Sequence, residues 1–88
     1  MIWAIKFSSK AEGYFTKLDR KLKKRIKKKL FELSEKEDPL THGDVKPLTG
    51  QLRGFYRLRI GEYRIVFSLV EDKKIIAVVN LAPRGGVY

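Results

Sequence analysis

Phe55 to Leu69 reads FYRLRIGEYRIVFSL, and the fold turns on how that stretch is read. Aromatic and aliphatic residues alternate with arginines on a period of two, on either side of Gly61-Glu62, which is the pattern of a half-buried β-hairpin. With Gly61-Glu62 as a two-residue turn of the kind that places glycine first, Ile60 faces Tyr63 and Arg59 faces Arg64. Tyr56, Leu58, Ile60, Tyr63, Ile65, Phe67 and Leu69 then share one face, and Arg57, Arg59 and Arg64 share the other. Like charges directly opposite in a ladder cost roughly 0.2–1 kcal/mol. Stability alone does not select such a pair, so it reads as a functional feature. The alternative is a solvated face whose charges deter edge-to-edge aggregation.

Downstream, Glu71-Asp72-Lys73 makes a turn, and Ile75 to Leu81 (IIAVVNL) reads as a strand buried on both faces. Upstream, Ile2 to Phe7 reads as a first strand, closed by Ser8-Ser9, either of which can cap a helix. Ala11, Tyr14, Phe15 and Leu18 form one apolar stripe of a short helix. Asp19 can cap a second helix carrying Leu22, Ile26, Leu30 and Leu33, which ends at Asp38-Pro39. Residues 39 to 54, with Pro39, Pro47, Gly43, Gly50 and Gly54, read as loop, and the lone His42 within it as a surface residue. The expected fold is α+β: one domain over residues 1–88, with a small antiparallel-rich sheet and two N-terminal helices packed on one face, in the order β-α-α-β-β-β.

A chain of 88 residues holds one core, burying about 60–65% of its unfolded surface. It has no cysteine and no cluster of metal-type ligands, so neither disulfides nor zinc supplement that core. The N-terminal MIWAIKFSSK is neither a signal peptide nor a membrane span, and the expected location is cytoplasmic. Twenty Lys and Arg against ten acidic residues give a formal charge of +10, which favours a polyanionic partner. The positive charge is densest between residues 17 and 29, where Lys17, Arg20, Lys21, Lys23, Lys24, Arg25, Lys27, Lys28 and Lys29 face Asp19 alone. Basic residues at a helix start oppose the macrodipole, so the run reads as a docking face for phosphates or an acidic protein, against the plain alternative of a solvated helix.

Conventional catalytic sets are missing: there is no cysteine nucleophile, Walker loop, dinucleotide fingerprint or paired carboxylates on the strands. The available tools are arginine, lysine and tyrosine. They suit cleavage of RNA by its own 2′-hydroxyl, where a phosphorane gains negative charge that a guanidinium holds bidentately. Arg57, Arg59 and Arg64 cluster on one face. Arg84, just past the last strand, can join them, Gly85-Gly86 permits close backbone approach, and Tyr88 can stack on a base or donate a proton.

The segment KPLTGQLRGFYRLRIGEYRIVFSLVEDKKIIAVVNLAPRGGVY, residues 46 to 88, resembles the RelE/ParE superfamily of toxins from toxin-antitoxin modules. Its specific part is K-x-L-x-G followed by Y-R-x-R-x-G-x-Y-R, and the N-terminal strand and helical hairpin fit as well. The resemblance implies a RelE-type mRNA endonuclease that cleaves in the ribosomal A site without a metal or cofactor, restrained by a small acidic RelB-like antitoxin. By position, the catalytic pattern falls on Arg57, Arg59, Arg64, Arg84 and Tyr88. Lys21, Lys24, Arg25 and Lys28 are then the residues expected to meet RNA and the ribosome. Some RelE members carry lysine where this chain has Arg57 and Arg59, and arginine cannot serve as a base, so the base is unassigned. Two other expectations compete: a ParE-type inhibitor of DNA gyrase without nuclease activity, and a passive nucleic-acid-binding module.

Overall fold

The computed structural model describes residues 2–83. Its elements are β1 (Ala4–Phe7), α1 (Ser9–Thr16), α2 (Arg20–Ser34), β2 (Val45–Pro47), β3 (Tyr56–Ile60), β4 (Tyr63–Val70) and β5 (Ile75–Pro83), with short 3-10 turns at Pro39–Thr41, Gly50–Leu52 and Glu71–Lys73. The strands form one sheet in the order β1-β5-β4-β3-β2. β1 runs parallel to β5, and the other pairings are antiparallel. The α+β class and the antiparallel-rich sheet agree with the sequence reading.

The β3–β4 hairpin has the expected register, with Ile60 opposite Tyr63 and Arg59 opposite Arg64. Gly61 sits at φ +57°, while Glu62 stays out of the left-handed region, so glycine takes the one turn position that needs it. This register sends Leu58, Ile60, Ile65 and Phe67 into the core, where they meet Ala11 of α1, Ile26, Leu30 and Leu33 of α2, and Ile76, Val78 and Leu81 of β5. Ser8 caps α1 by accepting the Ala11 N–H, and Asp19 caps α2 by accepting the Leu22 N–H.

Several boundaries differ from the sequence reading, each for a physical reason. Ile2 and Trp3 do not join the sheet, because their N–H groups both donate to the Ser34 carbonyl at 3.0 Å. The Trp3 indole N–H donates to the Glu37 carbonyl at 3.1 Å, and together these bonds close α2 at Ser34, ahead of Asp38. Tyr14 is 44% exposed, because Ala11, Phe15 and Leu18 complete a narrower stripe without it. The 39–54 segment, expected as loop, contains β2. Pro47 is tolerated there because β2 is the edge strand, where a missing N–H costs no ladder bond.

β5 also departs from expectation. Its residues alternate between buried and half-buried up to Val79, and the fully buried set, Ile76, Val78 and Leu81, lies in the core with residues of α1 and α2. A bulge lies between Val66 and Phe67 and their partners Asn80 and Val78, leaving Val79 without a Cα partner. Ser8 satisfies the backbone there: its N–H donates to the Val78 carbonyl at 2.8 Å and its hydroxyl to the Val79 carbonyl at 3.2 Å. The helix cap is thereby also the tie that holds the bulge.

The turn is testable. A Cβ on Gly61 would lie 2.7 Å from Arg25 Nη2 and would have to adopt the left-handed backbone region. Gly61→Ala is expected to lower stability by about 1–2 kcal/mol in urea unfolding; an unchanged midpoint would contradict the turn geometry.

Candidate functional site

The sheet face opposite the helices carries two rows of side chains. In one, Lys46 of β2 stands opposite Arg57 of β3, which stands opposite Val66 of β4, which stands opposite Asn80 of β5. In the next, Arg59 faces Arg64 and Arg64 faces Ala82. The Arg59 N–H donates to the Asp44 carbonyl at 3.0 Å, on the side away from β4. Arg59 and Arg64 therefore form a non-hydrogen-bonded pair, whose Cα atoms approach to about 4.5 Å. Two guanidinium groups are thus rooted side by side on this face, Arg59 exposed and Arg64 half-buried.

Asp44, just before β2, organises the edge of this face. Its carbonyl also accepts from Arg57 Nη1 at 3.0 Å. Its carboxylate takes the Lys29 ammonium of α2 on Oδ2 and Arg59 Nη2 at 3.2 Å on Oδ1. Its own N–H donates to His42 Nδ1 at 3.1 Å, which leaves the ring proton of neutral His42 to Nε2, 3.4 Å from Glu32 Oε1. The hydrogen bond from Lys29 is the main reason the Asp44 carboxyl lies below the ordinary carboxylate range; Arg59 lowers it further, against the desolvation that raises it. One residue thus ties helix α2, the β2 edge and both β3 arginines.

Between α2 and the tip of the hairpin lies a cleft of about 470 Å³, lined by Arg25, Lys28, Lys29, Glu32, Asp44, Arg59, Ile60 and Gly61. Four cations face two carboxylates there. Arg25 reaches over Gly61, so the turn and the basic helix touch directly. Of the four helix cations expected to meet RNA, Arg25 and Lys28 line this cleft, whereas Lys21 and Lys24 are exposed elsewhere on α2.

The arginines share a face but not one concavity. Arg57 and Arg59 lean towards Asp44, while Arg64 Nη1 turns back to the carbonyls of Gly61 at 3.4 Å and Tyr63 at 3.3 Å. Arg84 and Tyr88 lie outside the described residues. Lys29, expected as one of the cations of the docking run, lies in this surface, whereas Asp44, His42 and Lys46 were not expected there. Lys46 had a signal, since it heads the K-x-L-x-G motif; Asp44 had none, because a lone acid between Gly43 and Val45 is indistinguishable from turn punctuation.

Among the described residues no group of His, Cys, Asp and Glu could hold a metal ion, and no helix is long and apolar enough to cross a membrane. Residues 5–88 match the family model described as the ParE toxin of the type II toxin-antitoxin system parDE. The chain belongs to the ParE toxin family. It is therefore a type II toxin of the RelE/ParE superfamily. Among solved structures, this ParE-family chain is similar to the archaeal RelE-RelB complex from Pyrococcus horikoshii, at 27% identity and TM-score 0.77, over 98% of this chain and 99% of the other. The heterotetrameric YoeB-YefM toxin-antitoxin complex from Staphylococcus aureus matches at 28% identity and TM-score 0.71, over 89% and 92%. The isolated E. coli RelE toxin shares the fold at 21% identity and TM-score 0.75, over 93% and 84%. A comparison with curated protein sequences finds no match.

The Asp44 network makes the toxin's stability pH-dependent. A carboxyl held below its usual range stabilises the fold above the unfolded-state value near 4 and loses that contribution as pH falls through the folded value. Wild type is expected to exceed Asp44→Asn in stability by about 1 kcal/mol at pH 7. That gap should close on acidification below about pH 4 in paired denaturation curves. A gap that does not narrow as pH falls below about 4 would contradict the network.

Proposed function

We propose that this toxin is a metal-independent endoribonuclease that cleaves mRNA in the ribosomal A site and so blocks translation, and that a small acidic RelB-like antitoxin restrains it in the cytoplasm. The observation that carries this reading is the Arg59–Arg64 pair, beside Arg57 and Lys46, on the sheet face the helices leave open. A stabilising role does not account for that pair, and a phosphate placed between the two guanidinium groups does. The 2′-oxygen attacks phosphorus, the bond to the 5′-oxygen breaks, and the products are a 2′,3′-cyclic phosphate and a 5′-hydroxyl. Charge rises on the phosphoryl oxygens in between, and preorganised cationic donors stabilise that state over the resting diester.

In this reading Arg59 acts electrostatically at the 2′-hydroxyl, Arg64 and Arg84 hold the scissile phosphate, and Tyr88 stacks on the base or serves the leaving oxygen. Arg57 adds to the field, and none of the arginines removes the proton. Among the described residues Arg64 is held by two long carbonyl contacts and the Arg59 side chain, 54% exposed, by the Asp44 carboxylate, so both can swing to a phosphate at small cost. Lys21, Lys24, Arg25 and Lys28 take ribosomal RNA phosphates. The antitoxin partner is supported by the RelE-RelB and YoeB-YefM complexes among the similar structures.

The matched family carries the ParE name, which favours a second reading, inhibition of DNA gyrase by binding without strand cleavage. The two separate in parallel assays. Wild-type toxin is expected to cut mRNA at codon spacing on translating ribosomes and to leave gyrase supercoiling unaffected. Arg64→Ala and Arg84→Ala should each lower cleavage about a hundred- to a thousandfold with circular dichroism unchanged. Full cleavage by both variants would remove these roles, and supercoiling inhibition without cleavage would install the gyrase reading.

A further inference from the structure

The Asp44 carboxylate lines the basic cleft between α2 and the hairpin tip. It bridges an ammonium and a guanidinium from different elements, Lys29 of α2 and Arg59 of β3, as a phosphodiester in the same cleft would. Among the described residues the two cations meet nothing else of negative charge at this point; the next carboxylate, Glu32, is turned to His42. Arg59 is also the arginine that the cleavage reading needs free, and its backbone partner across the ladder, Arg64, points elsewhere in this state. The Arg57 guanidinium rests on the Asp44 carbonyl, so loss of the carboxylate leaves it in place. The charged and titratable groups packed around Asp44 are Lys29, Glu32, Arg57, Arg59 and His42.

The geometry points to Asp44 as an exchangeable internal anion: it parks Arg59 at the β2 edge when the toxin is free and yields it to an RNA phosphodiester on binding. This rests on the proposed action on RNA and adds to it the residue that sets how readily Arg59 is released. The carboxylate is one charge on a partly exposed pair, so the exchange is easily reversed. A phosphodiester offers the same charge with two equivalent oxygens, and Arg25, Lys28 and Lys29 wait around it in the cleft. Asp44 is a positioning residue, not a catalytic one.

The test uses the full-length toxin and a fluorescein-labelled, 2′-O-methylated RNA oligonucleotide, which binds without being cut. Asp44→Asn should tighten binding about three- to tenfold at low salt. The gain should vanish in the Asp44→Asn/Arg59→Ala double variant. It should also exceed the effect of Glu71→Gln, which raises net charge by the same amount on the exposed β4–β5 turn. An unchanged or weaker affinity for Asp44→Asn, or a gain that survives loss of Arg59, would overturn the proposal. Should Asp44→Asn not fold, the wild type decides: the Asp44 carboxyl ¹³C resonance should move as RNA is titrated in, and a resonance that stays fixed at saturation would overturn the exchange. RNA binding without cleavage on ribosomes would defeat the nuclease reading and leave the exchange standing. No RNA binding by any variant would overturn the exchange and leave the nuclease reading to the cleavage assay on ribosomes.

Discussion

Everything in this fold that concerns function follows from one left-handed residue, Gly61. Its position makes the hairpin loop two residues long, and a loop of that length admits one register. Because side chains alternate along a strand, that register assigns every residue of β3 and β4 to a face at once, and a slip by one would exchange the faces completely. The apolar set goes under the helices, and Arg57, Arg59 and Arg64 go to the open side. Arg25 of α2, lying over Gly61, means that the basic helix closes onto the same turn that sets the arginine positions.

The open face is organised from its edge. β2 is only three residues long, yet it positions Lys46 beside Arg57 and delivers Asp44 to the ends of both β3 arginines. A strand this short contributes little hydrophobic burial. Its contribution is electrostatic: a carboxylate and a carbonyl with four cationic or N–H donors around them, connecting sheet to helix through Lys29. The like-charge cost within the Arg59–Arg64 pair is thereby relieved in the free protein, with Arg59 neutralised from one side and Arg64 turned to backbone carbonyls. The relief is by weak, exposed contacts, which is compatible with a surface that must rearrange to receive a phosphate.

The parts legible in the sequence are those with a strong period or a strict local requirement. Alternation between Phe55 and Leu69, glycine first in the turn, and Leu22, Ile26, Leu30 and Leu33 at helical spacing each specify an element without help from the rest of the chain. The parts that were not legible depend on contacts between distant residues. Nothing in the order Gly43-Asp44-Val45 shows that Asp44 will meet Lys29 and Arg59. The end of α2 is decided by Ile2 and Trp3, more than thirty residues away in sequence, and Pro47 conceals β2 because an edge strand accepts what a central strand refuses. The continuous apolar run of β5 resembles a strand equally buried on both sides, and only the placement of both helices on one face separates its fully buried residues from the half-buried ones.

The central claim is that guanidinium groups rooted on neighbouring strands gather around one phosphate of a message strand. It is tested most directly by a structure of the toxin on a ribosome carrying a 2′-O-methylated A-site codon. The account predicts Arg59 off Asp44 and, together with Arg64, within hydrogen-bonding distance of a single non-bridging phosphate pair. A bound codon with Arg59 still on Asp44 and Arg64 still on the Gly61 carbonyl would contradict it.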